Sequence, residues 1–145
     1  MNNKIDKFRG ENYFLSNFYN ANVTFKGETY PNNECAFQAQ KTKDTTIKRI
    51  FTKLTPQEAK KLGRNIRLRR DWNYIKDDIM YEICYAKFEQ NKILQKKLFD
   101  TGSKQLIEGN SWHDTYWGMC NNHGENRLGK ILMKVRRELK KEANI

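Results

Sequence analysis

A mainly α-helical α+β domain with a few short strands is the fold class this sequence predicts, and three observations predict it. From Asp71 onward Trp72, Ile75, Ile79, Ile83 and Ala86 recur at intervals of three and four, the stripe of a long amphipathic helix packed on a core. Leu128, Ile131, Leu132, Val135 and Leu139 repeat that spacing near the end of the chain. Strand-like runs, by contrast, are few and short.

The elements follow in order. Between residues 13 and 30, Val23 and Phe25 before Gly27 and Thr29 and Tyr30 after it read as a small hairpin. Asn32 or Asn33 after Pro31 can cap a helix, and Glu34 to Lys43 contains no breaker, so a helix is expected there. Thr55-Pro56-Gln57-Glu58 joins a cap hydroxyl, a first-turn proline and a glutamate three residues on, which starts a helix ending near Gly63. The long helix follows from Asp71. Thr101-Gly102 closes a further short helix, and Gln105 to Glu108 is a strand or an extended entry to a polar segment rich in Gly, Asn and His. The basic helix from Leu128 ends the pattern.

At 145 residues, with 37% hydrophobic and 12% aromatic content, the chain has enough apolar surface for one core, so residues 1–145 are read as one domain despite a mean hydropathy of -0.97. Twenty-eight Lys and Arg against seventeen Asp and Glu leave a net charge of +11, which favours an anionic partner: a phosphate, a nucleotide or nucleic acid. A solvated Lys-rich surface accounts for the same count, because the basic residues are spread through the helices. Cys35, Cys84 and Cys120 are odd in number and far apart, which argues for a reducing compartment. MNNKIDKFRG has no apolar signal segment, and no window approaches the run of about 18 apolar residues that a membrane span needs. A cytoplasmic location without membrane attachment is therefore expected. The oligomeric state is not legible.

Two segments are candidates for chemistry. In a helix from Glu34, the residues Glu34, Phe37, Gln38 and Lys41 fall at i, i+3, i+4 and i+7 and share a face. Such a face can hold a ribose between carboxylate and amide while the ammonium meets a phosphate; a solvated polar helix with one aromatic anchor has the same spacing. From Gly109 to Gly129, about twenty residues without obvious regular structure carry Trp112, Tyr116, Trp117, His113, His123, Asp114, Asn121, Asn122 and Asn126. A flat ring can stack there, or the tryptophans can anchor a loop. Arg64, Arg67, Arg69 and Arg70 suit bidentate phosphate recognition, or are a solvated helix entry. Cys120 and His123 with His113 give one close ligand pair only, short of the two couples usual in a structural zinc site, so no metal is expected. Cys35 reads as a buried structural thiol. The chain has no phosphate-binding G-x-x-x-x-G-K-S/T loop, no dinucleotide fingerprint and no G-x-S-x-G elbow, which removes the commonest nucleotide and acyl-transfer chemistries.

Six blocks in order then resemble the NADAR, or YbiA-like, family: Phe14-Leu15-Ser16-Asn17-Phe18; Tyr30-Pro31 leading to Glu34-Cys35-Ala36-Phe37-Gln38-Ala39-Gln40-Lys41; Arg70-Asp71-Trp72; Lys87-Phe88-Glu89-Gln90-Asn91; Asp114-Thr115-Tyr116-Trp117-Gly118; and Gly124-Glu125-Asn126-Arg127-Leu128-Gly129. The resemblance implies a compact helical domain that hydrolyses N-glycosidic bonds to ribose without a cofactor. Its substrates would be phosphoribosylamino-pyrimidine intermediates of riboflavin biosynthesis or, in related members, ADP-ribose on guanine in DNA. Carried over by position, the functional residues fall on Glu34, Trp72, Asp114, Trp117 and Asn126, with Asn17, Gln38 and Lys41 as pocket neighbours. Met119 to His123 departs from the glycine-rich form of some relatives, which bears on loop shape and substrate choice.

The implied chemistry places positive charge on the sugar as the C–N bond breaks, so a carboxylate stabilises the transition state or activates water. Glu34 is the expected base or oxocarbenium stabiliser and Asp114 the ribose-orienting or second acid–base group, roles that can be exchanged. Trp117 and Trp72 would stack on the base, Lys41 with Arg70 or its neighbours would meet phosphate, and Asn126 would bind ribose or the base edge. A non-catalytic sensor of ADP-ribose and a single-strand nucleic-acid binder are the competing classes.

Overall fold

The computed structural model describes residues 3–145. In chain order these form β1 (Lys4–Ile5), a 3-10 turn (Gly10–Leu15), β2 (Asn20–Phe25), β3 (Glu28–Asn32), α1 (Asn33–Ala39), α2 (Thr45–Ile50) running into a 3-10 turn (Phe51–Lys53), α3 (Pro56–Gly63), α4 (Trp72–Gln90), α5 (Lys92–Asp100), β4 (Gln105–Leu106) and α6 (Arg127–Glu142). The architecture is mainly helical with two small two-stranded sheets, as the periodicity predicts. The chain divides into two compact units, Asn17–Gln90 and Met1–Ser16 with Asn91–Ile145.

In the unit Asn17–Gln90, β2 and β3 pair antiparallel with Val23 opposite Tyr30 and Phe25 opposite Glu28. The turn sits at Lys26-Gly27, both with positive φ, the geometry that matches a tight hairpin to strand twist. Alternation puts Val23, Phe25 and Tyr30 inside. The end of α4 seals the β2 edge, because the Gln90 side chain accepts from Thr24 N and donates to Thr24 O, each at 2.8 Å. On α4, Trp72, Ile79 and Ile83 are buried as expected, but so is Lys87, a cation that no apolar stripe announces.

Two expectations are corrected in this unit and its neighbour. Helix α1 ends at Ala39, not Lys43: Gln40 N turns back to Phe37 O, Lys41 and Thr42 leave the helix, and Asp44 caps α2 by accepting from Thr46 N and Ile47 N. A second helix start four residues on ended the first one early. The aromatic run Tyr13-Phe14-Leu15 belongs to a 3-10 turn, not to the hairpin. The Thr55–Glu58 capping box forms as read, with Glu58 N donating to Thr55 Oγ1 at 3.1 Å and Thr55 N to Glu58 Oε1 at 2.9 Å.

In the other unit β1 and β4 run parallel, Ile5 beside Leu106, and α6 covers β4 and α5 with Leu128, Leu132, Val135 and Leu139 buried. Arg136 is also buried, its guanidinium donating to Thr101 Oγ1 and Lys104 O at 2.8 Å, which satisfies two acceptors at the end of α5. No helix among the described residues is long and apolar enough to cross a membrane.

Candidate functional site

The carboxylate Glu34 occupies the first turn of α1, and this seven-residue helix is entirely buried. Asn32, not Asn33, is the cap: its side chain accepts from Cys35 N at 2.8 Å. Asn33 is thereby released into the interior, 1% exposed, where its Nδ2 lies 3.3 Å from Asn17 Oδ1 and 3.7 Å from Cys84 Sγ. Asn17 in turn accepts from Glu34 N through its backbone oxygen at 3.0 Å, and its Nδ2 reaches Met80 Sδ. Nothing in the sequence pattern singles out Asn33, because either asparagine satisfies the cap rule.

Glu34 itself is 8% exposed, and Gln38 Nε2 donates to its Oε2 at 2.7 Å. That is a short, charge-assisted bond of the kind that favours an ionised carboxylate. Lys41 completes the group from the turn after α1. Its Nζ donates to Gly63 O at 3.4 Å, and burial lowers its affinity for the proton while the nearby Glu34 carboxylate raises it and Arg64 and Lys76 lower it further. The i, i+4 and i+7 spacing of Glu34, Gln38 and Lys41 predicts acid, amide and cation together. The structure brings them together although Lys41 lies outside the helix.

Trp72 opens α4 at 4% exposure, its ring 5.1 Å from Phe37, so it backs the helix that carries Glu34. Of the arginine cluster, Arg69 is committed to Asp71 through a two-point contact at 2.6 and 3.0 Å, which also holds the Asp71 carboxyl below its usual range. Arg64, Arg67 and Arg70 are exposed.

In the other unit the candidate loop is tightly tied down. Asp114 Oδ1 accepts from Tyr116 N at 3.1 Å and Trp117 N at 2.9 Å, an Asx turn that sets the bend before Trp117. Asn110 fastens Asp114 from behind, donating to its backbone oxygen and to Glu108 Oε2 and accepting from its N–H. Tyr116 O and Trp117 O receive Arg127 N and Leu128 N, which gives partners to first-turn donors of α6. Trp117 is half-buried, edge-on to Tyr116 with centroids 4.8 Å apart, and the Arg127 guanidinium lies 4.5 Å from the Tyr116 ring. Gly118 admits no side chain: a Cβ there would strike Glu108 Oε2 and Glu108 O.

Asn126 is buried in a left-handed conformation, φ 51°, accepting from Glu108 N and donating to Leu106 O, both at 2.9 Å. Its amide thus ties the loop to the strand β4. Glu108 and Asn110 were missed by sequence reasoning, although the aromatic and polar residues between Gly109 and Gly129 had drawn attention to the segment. Cys120 Sγ lies 3.9 Å from His113 Nδ1, and among the described residues no group of three His, Cys, Asp or Glu side chains is placed to hold a metal ion.

Comparison with known proteins adds the following. The NADAR domain pattern matches residues 6–140. A riboflavin biosynthesis protein of Vibrio vulnificus is 38% identical over 134 residues, covering 90% of this chain, though the chain spans only 36% of that protein. The N-glycosidase YbiA of Escherichia coli K12 is 35% identical over 129 residues, 86% of this chain and 80% of its own length. An N-glycosidase of Nostoc punctiforme is 39% identical over 133 residues, 87% of this chain and 85% of its own. The NMR structure of Escherichia coli YbiA superposes with a TM-score of 0.87 at 33% identity, covering 99% of this chain and 89% of that one.

Proposed function

From the premise that the chain belongs to the NADAR domain family, we propose that it is an N-glycosidase, a hydrolase that uses water to cleave the ribose–nitrogen bond of a phosphoribosylamino-pyrimidine of the kind made in riboflavin biosynthesis. The relatives' names supply the reaction and substrate class. The observation in this chain that carries the reading is the buried Glu34–Gln38 pair with Lys41 beside it. We also take residues 1–145 as one domain, because the family pattern runs through both units.

As the C1′–N bond lengthens, the ribosyl ring gains oxocarbenium character. An anionic Glu34 stabilises that charge or takes the proton of the attacking water, while the departing nitrogen keeps the bonding pair and gains one proton in return. Lys41, with Arg64 or Arg70, neutralises the phosphate. Position-by-position correspondence with the family gives Asp114 the ribose-orienting role and Trp117 the ring-stacking role. Trp72 and Asn17 support the helix that carries Glu34, and Asn126 ties the loop of Asp114 to β4.

Incubation with the phosphoribosylamino-pyrimidine and, separately, with ADP-ribosylated guanine DNA, followed by chromatography and mass spectrometry, tests the assignment. Release of ribose 5-phosphate is expected. Release of ADP-ribose alone would move the assignment to the second reading, nucleic-acid de-ADP-ribosylation, which the net charge of +11 favours. A protein that turns over neither substrate is not the hydrolase proposed. Trp117→Ala should raise KM about tenfold, in keeping with ~1–3 kcal/mol for stacking on a base, with much less change in kcat. A fall confined to kcat would remove the stacking role.

A further inference from the structure

Gly63 closes α3 without any backbone reason to be glycine. Its φ is not positive, it is buried, and glycine is a poorer helix former than alanine. What it supplies is space. A Cβ on Gly63 would collide with Gln38 Oε1 and approach Gln38 Cδ to 2.7 Å. The same residue's carbonyl accepts from Lys41 Nζ, so one position on α3 touches both groups that flank Glu34.

Gln38 is the other half of the observation. Its Oε1 is buried and has no hydrogen-bond partner, while its Nε2 makes the 2.7 Å bond to Glu34. An unpartnered buried carbonyl is destabilising, because it has given up its hydrogen bonds to water. Turning the amide over offers no relief, because it would set the carbonyl oxygen against the Glu34 carboxylate. The bare face of Gly63 accommodates the oxygen in the one orientation that presents a donor to Glu34.

We propose that Gln38 is a positioning residue for Glu34 and that Gly63 is the seat that sets it, so that α3, which bears no reacting group, keeps Glu34 anionic and aimed. The inference rests on the N-glycosidase reading for what Glu34 does, but not for the coupling itself. Hence two readouts separate the two ideas.

The first is the titration of Glu34 followed by carbon NMR of side-chain-labelled glutamate, which needs no substrate. Gly63→Ala forces the Gln38 amide aside, and because the clash falls on the far end of a flexible side chain the helix survives. The Glu34 midpoint should rise by about one unit as the stabilising donor is lost. The second is the pH profile of kcat/KM, whose acid limb should move up by the same amount, with about a tenfold loss below it. In a Gln38→Ala background, Gly63→Ala should add nothing, because the pair acts as one unit. An unmoved Glu34 midpoint in folded Gly63→Ala, or full additivity of the two changes, overturns the proposal. Should Gly63→Ala not fold, Gln38→Met fills similar space without a donor and must raise the midpoint equally; an unmoved midpoint there overturns it too. If wild type turned over neither substrate, the function would fall and the NMR result would still decide the coupling.

Discussion

Glu34→Gln should lower kcat by about 10²–10⁴-fold while leaving the protein folded. The substitution keeps shape and volume, and a glutamine carbonyl can still accept from Gln38 Nε2, so the 2.7 Å contact has a neutral equivalent. The cap is untouched, because Asn32 and not Glu34 holds Cys35 N. What disappears is the negative charge at a position only 8% exposed, where water screens it poorly. Parallel measurement of kcat and of thermal unfolding by circular dichroism separates chemistry from stability. Near-normal turnover would end the assignment of Glu34, and equal losses of kcat and folded protein would give it a structural role only. The comparison with Trp117→Ala is informative, because loss of a carboxylate used in the transition state lowers kcat whereas loss of a stacking surface raises KM.

How far the sequence could be read depended on whether a feature repeats. Helices α4 and α6 were legible because several apolar residues recur at helical intervals, and α3 because a capping box is a local signature. Helix α1 was legible in its start and not in its end. Its termination depends on Asp44 starting another helix and on Arg69 N reaching Lys41 O at 2.8 Å, a contact 28 positions away in the chain. The Glu34–Gln38 pair could be found at i, i+4, but the orphaned Gln38 carbonyl and the Gly63 surface beneath it require a third element to be in place. Asn33 and Glu108 escaped for a related reason: each is a polar residue whose partners are brought to it by the fold. In the loop after β4 the sequence offers Asp114 and Asn126 among several polar and aromatic candidates. Only the fold shows that Asp114 holds backbone groups of its own loop and that Asn126 holds Glu108 N and the β4 carbonyl of Leu106.

The buried lysine leads to the second large effect. Lys87 is 1% exposed on α4, with its ammonium 5.6 Å from the Tyr19 ring and 5.1 Å from the Phe88 ring, and burial pushes its pKa down to about 8 from the usual 10.5. The Cys84 thiol beside it, itself pushed up to about 12 by burial, pulls Lys87 the other way without overcoming that effect. Between about 8 and 10.5 the unfolded chain binds a proton that the folded chain has released, so the Lys87 contribution to stability rises with pH through that window. Below the window the folded protein carries the full penalty of a buried ammonium. The shift from 10.5 to about 8 corresponds to about 3 kcal/mol between the two ends of the window. Lys87→Met, which keeps the unbranched shape, removes the titrating group, so the stability of the variant relative to wild type should fall by about 3 kcal/mol as pH rises from 7 through that window. Most of that change falls between about 8 and 10.5, where the wild-type lysine sheds its charge. Denaturant titrations at a series of pH values measure this difference free of the other alkaline groups, which titrate alike in both proteins. A variant less stable than wild type at pH 7, with a gap that does not change with pH, would mean that the Lys87 ammonium is held by contacts stronger than its desolvation, and that the cation belongs to the architecture of α4.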